Sequence, residues 1–182
     1  MTHLLDYQPL NLYTNYQEAA EKTPTVPIIF DESLPAFPAL GLETTYGESH
    51  QEILKRAYQL AALGVKKGDK IIIYKSPKFD TYLLAVAASY LAAVPVMVSY
   101  HLPFETIEVF VDRLEDPYIL FDDVTAEKVQ AVRNSSANKK LSVASLLEAD
   151  ATEVPQDELT KDEIAYMTHT SGTTGKIGRA HV

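Results

Sequence analysis

The chain has 182 residues, with 16 Lys and Arg against 25 Asp and Glu, a formal charge of −9, and no cysteine or tryptophan. This length suits one domain or a little more, and it can bury a sizeable core without a disulfide or a structural metal. The missing cysteine excludes disulfide frameworks, thiolate zinc sites and cysteine nucleophiles, and the acidic balance argues against a general nucleic-acid binder, which needs clustered Lys and Arg.

The amino-terminal part of the chain has no signal-peptide pattern, and no apolar run reaches the roughly 18 residues that a membrane span needs. We therefore expect a cytoplasmic protein without a membrane span. Apolar residues at helical spacing predict a helix over 12–24, and a short β-branched run predicts a strand over 26–30. Thr45 and Glu48 have the spacing of a capping box, so a helix is expected to begin there and to end at Gly64.

Short apolar runs then alternate with amphipathic segments. Strands are predicted over 71–74, 94–99 and 118–121, and helices over 77–91 and 103–114. Connections of this length join parallel strands through right-handed crossovers. The fold class expected is therefore α/β, an open, mostly parallel sheet with flanking helices.

Asp122 follows the strand predicted over 118–121, where its carboxylate could contact a ligand or cap the next helix, which is predicted over 125–132. We favour the capping role. A further short apolar element is predicted over 141–147. The acidic stretch 150–162 lacks the spacing of an EF-hand loop, so we expect a solvated linker there and predict no metal-binding residues.

A strand predicted over 164–168 leads directly into a segment rich in glycine and hydroxyl residues. Glycines let the backbone approach an anion closely, successive amides can form an anion-binding nest, and hydroxyls add donors. A phosphate group is the ligand expected, although an ordinary Ser/Thr/Gly turn would also fit the composition. The candidate phosphate-binding residues are Thr170, Ser171, Gly172, Thr173, Thr174 and Gly175.

A Walker A loop can be compared with this segment position by position. That motif requires glycine at position 170 and a hydroxyl residue at position 177, where this chain has Thr170 and Ile177. A P-loop kinase or ATPase is therefore disfavoured. His169, next to the segment, is expected to be structural rather than a general base.

The segment 170–175 resembles the phosphate-binding loop of the adenylate-forming, or AMP-binding, enzymes, which include acyl-CoA synthetases, adenylation domains of peptide synthetases and luciferases. The resemblance extends to 44–48, 63–69 and 92–96, which are similar to the family patterns T-Y-x-E, L-G-V-x-x-G-D and G-A-V-x-V-P in order and spacing. It implies that residues 1–176 are a partial N-terminal AMP-binding domain ending in the phosphate-binding loop, the incomplete amino-terminal part of the family's large domain.

The same resemblance implies an AMP-forming carboxylate ligase of the acid–thiol type. Such an enzyme uses ATP and Mg²⁺ to convert a carboxylic acid to an acyl-adenylate, and transfers the acyl group to coenzyme A or to the phosphopantetheine of a carrier protein. The adenine contacts, Mg²⁺-binding glutamate, acyl pocket and catalytic lysine of the family would all lie beyond residue 182. We therefore expect an inactive amino-terminal fragment with no catalytic residue of its own. The alternative is a stand-alone, non-catalytic α/β domain that binds phosphate or a partner.

Residues 177–182 are predicted to be a non-native tail. Ile177 and Gly178 stand where the family has Pro-Lys, and the six residues match the translation of the start of a common sequencing adapter. Lys176 occupies a variable position of the family pattern, so it is not assigned the role of the family's phosphate-contacting lysine.

Overall fold

Two β-sheets and their helices make up the computed structural model, which describes residues 11–169 and the backbone of 177–181. The helices are α1 (Leu12–Lys22), α2 (Tyr46–Ala62), α3 (Asp80–Tyr90), α4 (Phe104–Leu114), α5 (Ala126–Ala131) and α6 (Val143–Glu148). The strands are β1 (Pro27–Ile29), β2 (Glu43–Thr45), β3 (Lys70–Tyr74), β4 (Val94–Met97), β5 (Tyr118–Phe121), β6 (Lys140–Ser142), β7 (Ile164–His169) and β8 (Ile177–His181). Single 3₁₀ turns lie at Pro38–Leu40 and Ala137–Lys139.

The main sheet has six strands in the order β6-β5-β3-β4-β7-β8. Its first five strands are parallel, and β8 pairs antiparallel with β7. Helices connect successive parallel strands, as expected when a chain must return to the starting end of the sheet. The prediction of an open, mostly parallel α/β sheet is confirmed.

The central strands are apolar throughout because helices cover both faces of the sheet. Side chains alternate between the faces: Ile71 and Ile73 of β3 pack with α1, α2, α3 and α6, whereas Ile72 and Tyr74 pack with α4 and α5. Helix α3 is buried on nearly every side, while α4 buries one face only. The sheet therefore separates two apolar cores.

The capping box and the helix end predicted for α2 are both present. The Thr45 hydroxyl accepts a hydrogen bond from the Glu48 amide at 3.2 Å, and the Glu48 carboxylate accepts from the Thr45 amide at 3.0 Å. Beyond the last turn, Gly64 has a φ of +94°, a conformation that costs glycine little. Local sequence rules thus fix both ends of this helix.

Two predicted element boundaries need correction, and one strand was not predicted. The helix predicted from residue 77 begins at Asp80, since the preceding residues form a turn in which the Lys78 amide donates to the Ser76 carbonyl. The strand predicted to reach residue 99 ends at Met97. Strand β2 was not predicted; its three residues pair antiparallel with β1. In the described part of the chain, no helix is long and apolar enough to cross a membrane.

Candidate functional site

The carboxyl ends of β3 and β4 form a crevice at one edge of the main sheet. Helix α3, which follows β3, packs in one core, whereas α4, which follows β4, packs in the other. The two connections therefore leave adjacent strands towards opposite faces, and a gap opens between them. In open α/β sheets, ligands commonly bind at such a switch point.

A buried group of charges lies at the base of this edge. Lys75, directly after β3, has no exposed side-chain surface, and its Nζ lies 2.6 Å from Oδ1 of Asp80, which is equally buried. The same nitrogen lies 3.9 Å from Oδ2 of Asp122 and donates to the Ser76 carbonyl at 3.1 Å. One cation thus faces two carboxylates away from water.

Asp122 holds the turn that follows β3. Its Oδ2 accepts hydrogen bonds from the Ser76 amide, at 3.0 Å, and from the Ser76 hydroxyl. Burial by itself raises the pKa of Asp122, but the two bonds from Ser76 and the charge of Lys75 outweigh burial, so the pKa lies below its ordinary value. The carboxylate is therefore ionised at neutral pH.

Asp122 contacts both the start of α5 and the β3 side. Its Oδ1 accepts from the hydroxyl of Thr125, the residue that precedes α5, at 3.3 Å, and a hydrogen bond from the Thr125 amide helps to lower the pKa of Asp122. Phe121 pairs with Tyr74 in the parallel register, so the next residue of each strand, Asp122 and Lys75, lie side by side, and Oδ2 of Asp122 faces the β3 side. The Thr125 hydroxyl also donates to the Tyr74 carbonyl at 2.6 Å.

The charged group continues through the backbone of one residue, Ala36, into the core that contains α2 and α3. Asp80 accepts from the Ala36 amide at 3.0 Å, and the Ala36 carbonyl accepts from Nε of Arg56 at 2.6 Å. Arg56, on α2, also donates to Gln59 at 2.7 Å and lies 5.3 Å from the ring centre of Phe37. Hydrogen bonds thus connect the carboxyl edge of the sheet to helix α2.

An open cleft of about 610 Å³ lies above Lys75, between the segments that follow β3 and β4. Its lining is formed by Lys75, Pro77, Lys78, Phe79, Thr81, Tyr82, Met97, Val98, Ser99, Tyr100 and His101. The segment after β4 is held from beneath: the Tyr74 hydroxyl donates to the Leu102 carbonyl, and Nζ of Lys128 donates to the Tyr100 carbonyl at 2.7 Å. This wall of the cleft is therefore fixed by buried groups.

The predicted phosphate-binding residues, Thr170, Ser171, Gly172, Thr173, Thr174 and Gly175, lie outside the described residues. The residues on either side of them are described. His169, the last residue of β7, pairs with Ile177 of β8, and Thr168 pairs with Met97 of β4. The end of β7 therefore lies at the carboxyl edge of the sheet, beside β4. The His169 ring lies 6.1 Å from the Phe110 ring.

Within residues 11–169, no group of three or more His, Asp or Glu side chains could hold a metal ion. No residue of this part of the chain is therefore assigned to Mg²⁺. The carboxylates of Asp80 and Asp122 share the one cation of Lys75 and are hydrogen-bonded to protein donors, which fits an internal ion-pair network rather than a cation site.

Sequence reasoning overlooked Lys75 and Asp80. An ionisable residue directly after an all-apolar strand was a usable signal for Lys75, since that position lies at the carboxyl edge of a parallel sheet. Asp80 gave no comparable signal, because the first turn of a helix commonly carries an exposed aspartate.

A family model and several curated proteins are similar in sequence to this chain. The family model described as "AMP-binding enzyme" matches residues 16–177. A 3-amino-2-hydroxy-4-methoxybenzoate diazotase of Streptomyces cremeus is 33% identical over 110 residues, which cover 60% of this chain and 20% of the relative. A protein of Bacillus subtilis described as an uncharacterized acyl-CoA ligase is 28% identical over 144 residues, which cover 72% of this chain and 27% of the relative. The chain thus spans about a quarter of the length of these curated relatives.

The solved structure of O-succinylbenzoate coenzyme A synthetase from Bacillus subtilis, in complex with AMP, has a similar fold. The TM-score is 0.71 at 22% sequence identity, and the match covers 96% of this chain and 42% of that chain. At this identity the likeness concerns the fold.

Proposed function

This chain belongs to the family of AMP-binding enzymes, and on that premise we propose that it is the amino-terminal part of an enzyme that activates a carboxylic acid with ATP. The carboxylate oxygen bonds to the α-phosphorus of ATP while the bond to pyrophosphate breaks, which gives an acyl-adenylate. A thiol of coenzyme A or of a carrier protein then takes the acyl group, and AMP leaves. The observation that carries this proposal is the family match over residues 16–177.

The names of the similar proteins support the proposal. The Bacillus subtilis relative is named as an uncharacterized acyl-CoA ligase, and the synthetase of similar fold was solved in complex with AMP. The predicted phosphate-binding segment also follows directly on β7, at the sheet edge where α/β proteins bind their ligands.

The part of this chain in the reaction is electrostatic. Amides of Gly172 and Gly175, with the hydroxyls of Thr170, Ser171, Thr173 and Thr174, would hold the β- and γ-phosphates of ATP. Donors fixed before the reaction stabilise the charge that develops on the departing pyrophosphate. Mg²⁺, when bound with ATP, would neutralise part of the same charge. The scheme needs no covalent bond between enzyme and substrate.

We assign no complete reaction to the 182-residue chain by itself. By resemblance, the adenine contacts, the Mg²⁺-binding glutamate, the acyl pocket and the catalytic lysine are all expected beyond residue 182. A chain that holds only the phosphates cannot align a carboxylate with the α-phosphorus, and alignment supplies a large part of such rate enhancements.

The test is to read the source locus past the codon of Lys176 and to assay the encoded protein for carboxylate-dependent exchange of pyrophosphate into ATP. Aryl, fatty and amino acids are tried in turn, because the acid class is open. Thr173→Ala should lower exchange by about 10²–10³-fold, as the loss of a preorganised donor does. Gly175→Ala keeps the backbone amide but adds a Cβ that hinders the close approach of the backbone to phosphate, so it should lower exchange as well. Thr152→Ala, an exposed hydroxyl in the acidic connector, is the matched control and should leave exchange unchanged.

Two results would overturn the proposal. One is an open reading frame that stops just after residue 182, which would favour the stand-alone, non-catalytic domain. The other is an extended protein that binds ATP but exchanges no pyrophosphate with any acid. Exchange by the 182-residue chain itself would contradict only the proposed inactivity of the fragment.

The same locus tests the proposal that residues 177–182 are non-native. The pairing of β8 with β7 uses backbone groups, which most residues supply, so it does not depend on the identity of this tail. Native codons for Ile-Gly-Arg-Ala-His-Val would contradict the proposal.

A further inference from the structure

We propose that the cleft between the carboxyl ends of β3 and β4 binds a small, uncharged, planar aromatic molecule that carries a hydrogen-bond acceptor. This site is formed by residues 75–82 and 97–101, whereas the predicted phosphate loop follows β7. The inference goes beyond the proposed function and does not depend on it.

The position and size of the cleft fit a ligand site. It lies at the switch point of the parallel sheet, where the connections from two adjacent strands diverge to opposite faces. Its volume of about 610 Å³ is within the roughly 300–1,000 Å³ of typical small-molecule sites.

Aromatic side chains make up much of the lining. Phe79 and Tyr82 are on the β3 side, with ring centres 5.5 Å apart, and Tyr100 is on the β4 side. Phe79 is 46% exposed, although large apolar side chains are mostly buried in this protein. Aromatic side chains on two walls, in a lining that also includes Met97, favour a flat ring over a branched or flexible apolar group.

The charges around the cleft argue for an uncharged ligand. Lys78 lines it, but its ammonium is engaged by the Glu32 carboxylate at 2.7 Å and the Ser33 carbonyl at 3.1 Å. Lys75, at the base, is paired with Asp80. Both cations are thus neutralised by neighbouring carboxylates, so an anionic ligand would gain little binding free energy from them. An ammonium has three donors, so Lys78 keeps one for a neutral acceptor on the ligand.

Both walls are already held in place. The turn after β3 is fixed by the bonds from Ser76 to Asp122, and the segment after β4 is fixed by the bond from Lys128 to the Tyr100 carbonyl. A ligand entering such a site orders few groups on binding, so even a small ring can bind measurably.

The experiment is an NMR titration of ¹⁵N-labelled 182-residue chain with three probes of similar size: benzamide, benzoate and cyclohexanecarboxamide. Benzamide should shift the amides of residues 78–82 and 97–101, with a Kd of about 1 mM, a typical value for so small a ligand. Benzoate should bind at least about fivefold more weakly because it is charged, and cyclohexanecarboxamide likewise because it lacks an aromatic face.

Variants then test the assignment. Phe79→Leu and Tyr100→Leu should each weaken benzamide binding by about tenfold, and the second variant decides if the first fails to fold. Val109→Ala, on the exposed side of α4 and with a similar exposure of 45%, is the matched control and should bind benzamide as the parent chain does. Equal binding of all three probes, shifts spread over the whole chain, or no shifts up to about 20 mM would each overturn the proposal.

Discussion

Replacing Lys75 by methionine should lower the free energy of unfolding by about 3–5 kcal/mol. Lys75 and Asp80 have no exposed side-chain surface, and their charged atoms are 2.6 Å apart. Methionine keeps an apolar stem but leaves the Asp80 and Asp122 carboxylates buried without their cation, and removal of one partner of a buried ion pair costs about 3–5 kcal/mol. The loss is large beside the total stability of about 5–15 kcal/mol of a typical domain.

The double variant Lys75→Met with Asp80→Asn separates the lost charge from the changed shape. Asparagine keeps an acceptor oxygen for the Ala36 amide, which donates to Asp80 at 3.0 Å. Because the double variant no longer buries an unpaired Asp80 charge, we expect it to be more stable than Lys75→Met alone. The sum of the two single effects should exceed the double effect by at least about 1 kcal/mol.

Urea unfolding followed by far-UV circular dichroism measures all of these free energies. Lys22→Met is the control, because Lys22 forms an exposed ion pair with Glu18 and its loss should not move the urea midpoint measurably. The reasoning is refuted if Lys75→Met costs less than about 1 kcal/mol, or if the two single effects add without coupling.

Three further predictions concern other parts of the fold. Thr45→Ala removes the acceptor for the Glu48 amide and should cost about 1 kcal/mol in urea unfolding; a loss below about 0.3 kcal/mol would contradict the capping role. Burial raises the pKa of Asp122, but hydrogen bonds and a nearby cation lower it by more, so the net pKa lies below the usual 3.8. The ionised carboxylate therefore stabilises the folded protein above pH 3.8, and this contribution is lost as the pH falls through the lowered pKa. Stability measured against pH should therefore fall less steeply in acid for Asp122→Asn than for the parent. Ile107→Ala on α4 should cost about 2–5 kcal/mol, whereas Val109→Ala on the exposed side of that helix should change stability by less than about 0.5 kcal/mol.

The elements that the sequence predicted well are those determined by residues close together in the chain. Strand β5 has the predicted bounds, since four consecutive apolar residues between Pro117 and Asp122 can bury both faces only inside a covered sheet. The α2 capping box needs only Thr45 and Glu48, three residues apart. Strand β2 was missed because three residues of ordinary composition become a strand only by pairing with β1.

The candidate site was less predictable because it depends on register. The sequence shows that Lys75 and Asp122 each follow an apolar strand, but not which strands are neighbours or how they are aligned. Pairing of Tyr74 with Phe121 is what brings the two charges together. The cleft likewise requires that β4 lies beside β3, with α3 and α4 on opposite faces, which no local pattern specifies.

The buried charges explain how the segment after β3 can form one wall of the cleft. Residues between a strand and a helix usually have few contacts, and their backbone amides must find partners other than the sheet. Here the Asp122 carboxylate satisfies the Ser76 amide in the segment after β3, and Asp80 satisfies the Ala36 amide in the neighbouring loop between β1 and β2. Lys75 then offsets one of the two negative charges that these acceptors introduce. The acceptors and the cation are needed together, because carboxylates buried without Lys75 would cost more free energy than their hydrogen bonds return.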